Sequence, residues 1–439
     1  MDPRQLLVVA GALLLFGWSS RWLERTWITP PLAFIALGVV LGPSGFVFCE
    51  LAPDAPLIDI IAELTLILIL FSDASRISLR RLRSEFRIPL RLLGIGLPLT
   101  IALGTLCAKA LFPEFEWVHC ALLASILAPT DAALGQAVVS SPEVPACTRQ
   151  TLNVESGLND GIALPAVLFF AAYAGLAEGE HETSWSTFVT AQLTLGPGVG
   201  VVVGGVGTWL THQLMRRGAI EKHFKVYVNL ALALIAYGLA HEVGGNGFIA
   251  AFIAGMVAGN LENDACDGMQ EFTESEGQLL MVLTFLFFGA TFVAPAVGRA
   301  EVSTWLYAGL SLTAVRMIPI ALSLIGHGFR LTTILFVGWF GPRGLASILF
   351  GLLVVEGAHE SPIAEAIFDV VVVTVTLSAI LHGMSALPLA KSYGARVKRW
   401  AETESEFAEM RPAPEMPLRT RTTRTPEDGA ALEDETGRK

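Results

Sequence analysis

Six ionisable side chains interrupt otherwise apolar runs of this 439-residue chain. Asp73 lies in ILILFSDASRI, Asp131 in LLASILAPTDAALG, and Glu155 with Asp160 in NVESGLNDGIALP. Arg316 lies in LTAVRMIPIAL and Arg343 in FVGWFGPRGLASILF. A carboxylate at the centre of a bilayer costs roughly 2.5–3.5 kcal/mol on insertion scales. Buried charges must pair or be neutralised. Four acids against two bases leave an acidic excess that needs a proton or a cation.

Spacing sharpens this requirement. In a helix over 150–174, Ser156 and Asp160 are four residues apart and share a face, while Glu155 and Asn159 share the adjacent one. The first face offers a hydroxyl and a carboxylate, oxygen ligands suited to a hard cation. The second offers an acid that needs a partner, beside a neutral amide. A carboxylate that only cross-links helices is the plainer role, and it suits Glu155 better than Asp160, which has no base near it in sequence. Pro129 in APTDA and Pro342 in GPRG fall in the middle of their apolar runs, each beside an ionisable residue. Proline removes a helical hydrogen bond and clashes with the preceding turn. Each span is therefore expected to be discontinuous, with free helix ends near the midplane. A pair of interrupted spans at comparable positions in two halves points to an ion site built on inverted repeats.

The elements that position these groups are membrane spans. The chain is 53% hydrophobic and 16% charged, far from the roughly one-quarter charged composition of a soluble domain. Apolar runs near the ~20 residues needed to cross a bilayer recur along it, and the short alternating strands of a transmembrane barrel are absent. The fold class expected is all-α and polytopic. Cutting at charge clusters and turns gives about thirteen spans, at 4–19, 28–46, 56–72, 87–112, 117–140, 150–174, 186–213, 222–241, 246–262, 275–297, 303–326, 332–355 and 362–390. The first run lacks a cleavage site and reads as a retained span. GPGVGVVVGGVG inside the seventh span reads as close helix packing through small residues rather than a dinucleotide fingerprint.

Lys and Arg concentrate in alternate loops: Arg21 and Arg25, Arg76 to Arg87, Arg149, Arg216 to Lys225, Arg330, and Lys391 to Arg399. The opposite loops are acidic. That bias puts the N-terminus outside and the C-terminus in the cytoplasm. The net charge of −11 sits in loops and in the tail after 390, and no basic patch suggests nucleic acid. Residues 391–439 are polar and expected to form a mostly disordered cytoplasmic tail. The five scattered cysteines, with no CxxC pair, read as small core residues rather than a metal site. His241 and Glu242 fall at an expected helix end, and Trp18, Trp22, Trp27 and Trp117 lie near span ends, as an aromatic belt would place them. Arg316 is expected to pair with a core acid, Asp131 being the candidate.

APTDA, ESGLNDG and GPRG, in this order and separation, resemble the signature of the monovalent cation:proton antiporters, specifically the NhaP-type sodium/proton exchangers. The resemblance spans roughly residues 4 to 390. It implies thirteen spans, two crossed unwound helices, a core and a dimerisation domain within 1–390, and a homodimer in a bacterial or archaeal cytoplasmic membrane. It implies that Asp160 is the ion- and proton-binding carboxylate, with Asn159 beside it. Thr130 and Asp131 belong to the first broken helix, Ser156 supplies a ligand, and Asp73 matches an acidic position of the third span. The metal ligands implied for the transported cation are Asp160, Ser156, Thr130 and Asp73. Glu155 is implied to pair with Arg343. The cargo implied is Na+ or Li+ against H+, with K+ as the alternative, and no cofactor and no enzymatic activity are expected. An Asn159–Asp160 pair leaves one titrating group and implies one-for-one, electroneutral exchange. An intramembrane aspartyl protease, the rival from another class, needs a GxGD after a span, which the sequence lacks. A passive channel gives no reason for two broken spans.

Overall fold

The computed structural model describes residues 3–23, 28–43, 56–77, 87–131, 134–176, 185–220, 225–261, 279–358 and 361–403, together with 26, 45, 79 and 409. Among these residues every regular element is helical. In chain order they are α1 (Pro3–Leu23), α2 (Pro30–Leu41), α3 (Pro56–Ser75) and α4 (Arg87–Leu111). The short helices α5 (Trp117–Ile126) and α6 (Gln136–Val139) flank a break and precede α7 (Ala146–Tyr173). Then come α8 (Trp185–Arg216), α9 (Lys225–Glu242), α10 (Gly247–Leu261) and α11 (Leu279–Arg299). A kink at Thr313 separates α12 (Val302–Leu312) from α13 (Ala314–Leu324). A second break separates α14 (Leu331–Trp339) from α15 (Leu345–Gly357), and α16 (Pro362–Thr403) closes the fold.

The punctuation follows local chemistry. Proline opens α2, α3 and α16, where its missing N–H is not needed. A capping box starts α5: the Glu116 side chain accepts from the third helical residue, while Glu116 N donates to His119 Nδ1 at 3.3 Å. Gly175 ends α7 in the left-handed region, at φ +71°, and Leu176 N returns to Ala171 O at 2.9 Å. The helices overlap the spans expected from hydropathy, and Pro129 and Pro342 lie in breaks, while Pro165, Pro197, Pro319 and Pro388 lie inside helices. Trp18 and Trp117 are exposed near helix ends, as are His241 and Glu242, whereas the Trp22 side chain and Trp27 lie outside the described residues.

Two three-helix units face each other. One comprises α4, the α5–α6 pair and α7; the other comprises α12–α13, the α14–α15 pair and α16. In each unit the middle member is broken. Six spans lie between the two broken members, so the chain traverses them in opposite directions, as inverted repeats require. The units interlock through α4 with α12 and α13, and through α5 with α16.

Around them α3, α8 and α10 form a slab held by glycines. A Cβ at Gly196, Gly200 or Gly204 of α8 would run into the backbone of Asn246, Ala250 or Ala254. A Cβ at Gly255 or Gly259 of α10 would strike the carbonyls of Phe71 or Ser75 on α3. The glycine run of the seventh span is thus a packing stripe, as read from the sequence. Van der Waals contact through small residues is what holds helices together where lipid supplies no hydrophobic drive.

The last helix extends past the expected boundary at 390. It continues to Thr403, and its end docks on the loop before α7: Lys398 Nζ donates to Glu143 Oε2 at 2.7 Å, and a Cβ at Gly394 would meet the Glu143 backbone. The Lys398 hydrogen bond and its charge hold the Glu143 carboxyl below its ordinary range. A 13-residue polar stretch that looks like tail is helical because α16 has already fixed its first turns. Beyond Thr403 only Glu409 is described; it is buried and accepts from Thr333 Oγ1 at 2.7 Å and Arg330 N at 2.9 Å.

Candidate cation site

The site sits where the two broken helices cross at α7. Residues 127–131, 134–135 and 340–344 leave the helical path, and the two breaks meet: Asp131 N donates to Pro342 O at 2.8 Å. The free helix ends are then capped across the crossing. Asp131 Oδ2 accepts from Leu345 N at 2.9 Å, at the positive N-terminus of α15. Arg343 Nη1 donates to Ala128 O at 2.8 Å and Pro129 O at 3.2 Å, just beyond the negative C-terminus of α5. Ser347 Oγ adds a bond to Ile126 O at 2.8 Å. Each charge thus stabilises the half-helix of the opposite unit. These roles depend on close approach at Gly344, where a Cβ would overlap the Asp131 carboxylate. Gly344→Ala is expected to destabilise the protein by about 1–3 kcal/mol through overpacking. Gly309→Ala, where a Cβ meets nothing within 4 Å, is the neutral control. Thermal melting in detergent compares the two.

On α7 four site residues fall on two successive turns and are all buried. Asn159 Nδ2 donates to Thr130 Oγ1 at 2.6 Å, and Thr130 Oγ1 lies 3.0 Å from Ser156 Oγ. One threonine in the first break therefore gathers both α7 side chains. Asn159 Oδ1 is buried with no hydrogen-bond partner, so an amide oxygen is left available to a ligand. Asp160 is the adjacent residue, 5% exposed, halfway along α7. A Cβ at the following Gly161 would run into the Phe252 ring, so α10 lies directly against the helix at that point. Asp73 is buried on α3, which packs on α7. Hydroxyl, amide and carboxylate oxygens here form a hard-cation donor set.

The ion pairing differs from the sequence expectation at two places. Glu155 pairs with Arg316, not Arg343: Arg316 Nη1 and Nη2 donate to Glu155 Oε1 and Oε2 at 2.5 and 2.8 Å, with both residues at most 3% exposed. Arg316 is therefore not the partner of Asp131, which caps α15 instead. The reason is steric and electrostatic together. Gly341 lacks a side chain, so the Arg316 guanidinium passes over the second break to reach Glu155; a Cβ there would strike it. Arg343, starting within that break, points toward the carbonyls at the end of α5. Bidentate pairing suits the planar guanidinium.

Three residues of the crossing escaped the sequence reading: Ser347, Ser378 and His382. Ser378 Oγ accepts from Arg343 N at 2.8 Å. Ser378 and His382 are four apart in TLSAILHG, a polar pair on one face of an apolar helix, and that spacing was the available signal.

Crossed, interrupted spans around buried polar side chains define the class as a polytopic helical membrane protein. Six of the described helices are long and apolar enough to cross a membrane. The chain belongs to the sodium/hydrogen exchanger transmembrane family, whose model matches residues 10–392. It is similar to the K(+)/H(+) antiporter NhaP of Alkalimonas amylolytica, 26% identical over 391 residues, covering 88% of this chain and 66% of that protein. It is also similar to the Na(+)/H(+) antiporter NhaP of Pseudomonas aeruginosa, 27% identical over 354 residues, covering 74% of this chain and 82% of that protein. The chain spans just under two thirds of the length of the first of these relatives. The structure of the sodium proton antiporter MjNhaP1 from Methanocaldococcus jannaschii shares the fold, with a TM-score of 0.71 at 20% identity over 88% of this chain and 98% of that one.

Proposed function

We propose that the protein is a secondary active antiporter that exchanges Na+ or Li+ for H+ by alternating access, one ion for one proton, in the service of pH and sodium homeostasis. The observation that carries this reading is the Thr130–Ser156–Asn159 oxygen cluster beside Asp160 at the crossing of the broken helices. Asp160 binds either the cation or a proton. Ser156, Thr130 and Asn159 supply neutral oxygens, Asp73 contributes from α3, and Asp131 with Arg343 fixes the two breaks. Burial favours the protonated carboxyl and a bound cation the ionised one, so the two ligands displace each other. The protein works as a homodimer in a bacterial or archaeal cytoplasmic membrane, N-terminus outside, without a cofactor.

Asn159 cannot titrate, so a single carboxyl moves one charge in each direction. Net charge movement would couple to voltage at about 2.3 kcal/mol per 100 mV. In proteoliposomes, proton flux measured with sodium, lithium and potassium in turn is expected to respond to sodium and lithium, and to be unchanged by an imposed membrane potential. Voltage-driven turnover overturns the stoichiometry. A response to potassium alone establishes the second reading, K+/H+ exchange, which the printed name of the Alkalimonas relative favours.

A further inference from the structure

One turn of α16 holds both ends of the second break. Trp339 is the last residue of α14 and Arg343 the fourth residue after it. His382 Nε2 lies 2.9 Å from Trp339 O, and Ser378 Oγ accepts from Arg343 N at 2.8 Å. The two α16 side chains are themselves joined, with Ser378 Oγ 3.2 Å from His382 Nδ1. The imidazole stacks on the Trp339 ring at 5.0 Å between centroids and is 1% exposed. Trp339 Nε1 is taken separately by Ser385 Oγ at 2.9 Å.

Two of the proton directions in these contacts are fixed, because an amide N–H can only donate and a carbonyl can only accept. The Arg343 amide donates to Ser378 Oγ. The Ser378 hydroxyl donates to His382 Nδ1, and His382 Nε2–H donates to the Trp339 carbonyl. With a neutral imidazole protonated on Nε2 the chain runs through the serine hydroxyl. A second proton, on Nδ1, turns that nitrogen from acceptor to donor. It would then point at Ser378 O, 3.0 Å away, and the serine hydroxyl would lose its acceptor. The charged groups facing the imidazole are the Arg343 and Arg316 guanidiniums, the latter paired with Glu155; Trp339 and Phe340 supply aromatic walls.

We propose that His382 is a positioning residue for ion exchange: through Ser378 and the Trp339 carbonyl it holds the Arg343 peptide, and with it the second break. Arg343 reaches the first break from that peptide, so a shift there moves the Thr130 loop that gathers Ser156 and Asn159. The inference rests on the cation-exchange reading, and its test is arranged to fail separately from it.

The experiment compares wild-type protein with His382→Ala, Ser378→Ala, the double variant, His382→Gln and Ser385→Ala, all purified and reconstituted. Apparent KM for the transported cation and maximal rate are read in proteoliposomes. Amide deuterium uptake over 339–345 is read in detergent. We expect His382→Ala and Ser378→Ala each to raise KM by about tenfold, the range seen when a supporting partner of an ion ligand is lost. The double variant should add nothing further, because both belong to one chain. His382→Gln, which keeps a donor for Trp339 O, should recover part of the KM, whereas His382→Ala should not. Ser385→Ala should leave KM unchanged. Deuterium uptake at the Arg343 peptide should rise in both single alanine variants. Unchanged uptake and KM overturn the proposal, as does a lower maximal rate at unchanged KM, which marks a purely structural role. If wild-type protein moves no cation, the exchange reading fails, while the uptake measurement still decides whether His382 positions the break.

Discussion

Asp160→Asn is expected to reduce proton flux in reconstituted vesicles to the level of protein-free liposomes for sodium, lithium and potassium alike. The purified variant should remain folded and monodisperse. The substitution keeps shape and volume and removes the one property exchange needs, a carboxyl that can hold either a proton or a cation. A variant that cannot ionise has no reason to cost stability. It relieves a buried charge, so its melting midpoint should equal or exceed that of the wild type. Loss of flux without loss of fold separates a titrating role from a packing role. Normal flux from the variant would move the titrating group elsewhere, with Asp73 and Asp131 next in line.

The second large effect concerns the buried pair. Glu155→Ala or Arg316→Ala should each cost about 3–5 kcal/mol, because either leaves an uncompensated charge in the protein interior. Removing both charges together should be far milder: Glu155→Gln with Arg316→Met leaves no bare ion and roughly conserves volume. The partner is the discriminating point. If Glu155 were held by Arg343, then Arg343→Met would rescue Glu155→Gln. The geometry instead requires rescue by Arg316→Met and further damage from Arg343→Met, which strips the cap from Ala128 O and Pro129 O. Melting midpoints and yields of the two double variants, compared with the singles, decide it.

Much of this architecture can be read from the residues. Span lengths follow from bilayer thickness, so hydropathy alone places nearly every helix. Both breaks hold a proline beside an ionisable residue, and that pairing is the signal, since Pro165, Pro197, Pro319 and Pro388 stay inside helices. The grouping of Ser156 with Asp160 follows from the 3.6-residue period. What the chain does not reveal is which distant group answers each charge. Arg316 stands 161 residues from Glu155, and Leu345 stands 214 from Asp131. Periodicity ranks neighbours along one helix and is silent between helices. The choice between two arginines is made by absent side chains at Gly341 and Gly344, which admit a guanidinium and a carboxylate. The helical reach of α16 beyond 390 was hidden for a related reason. Composition describes a segment by itself, whereas this one is fixed by the helix before it and by Lys398 on Glu143.

The glycine-to-carbonyl seams joining α8, α10 and α3 have a mechanical meaning. A seam made of main chain has no rotamers with which to absorb displacement, so these three helices deform only by separating altogether. On the proposed exchange reading they are the stator. On that reading, transit of Asp160 between the two aqueous faces is a stroke of the other half of the molecule past Phe252, which lies against Gly161.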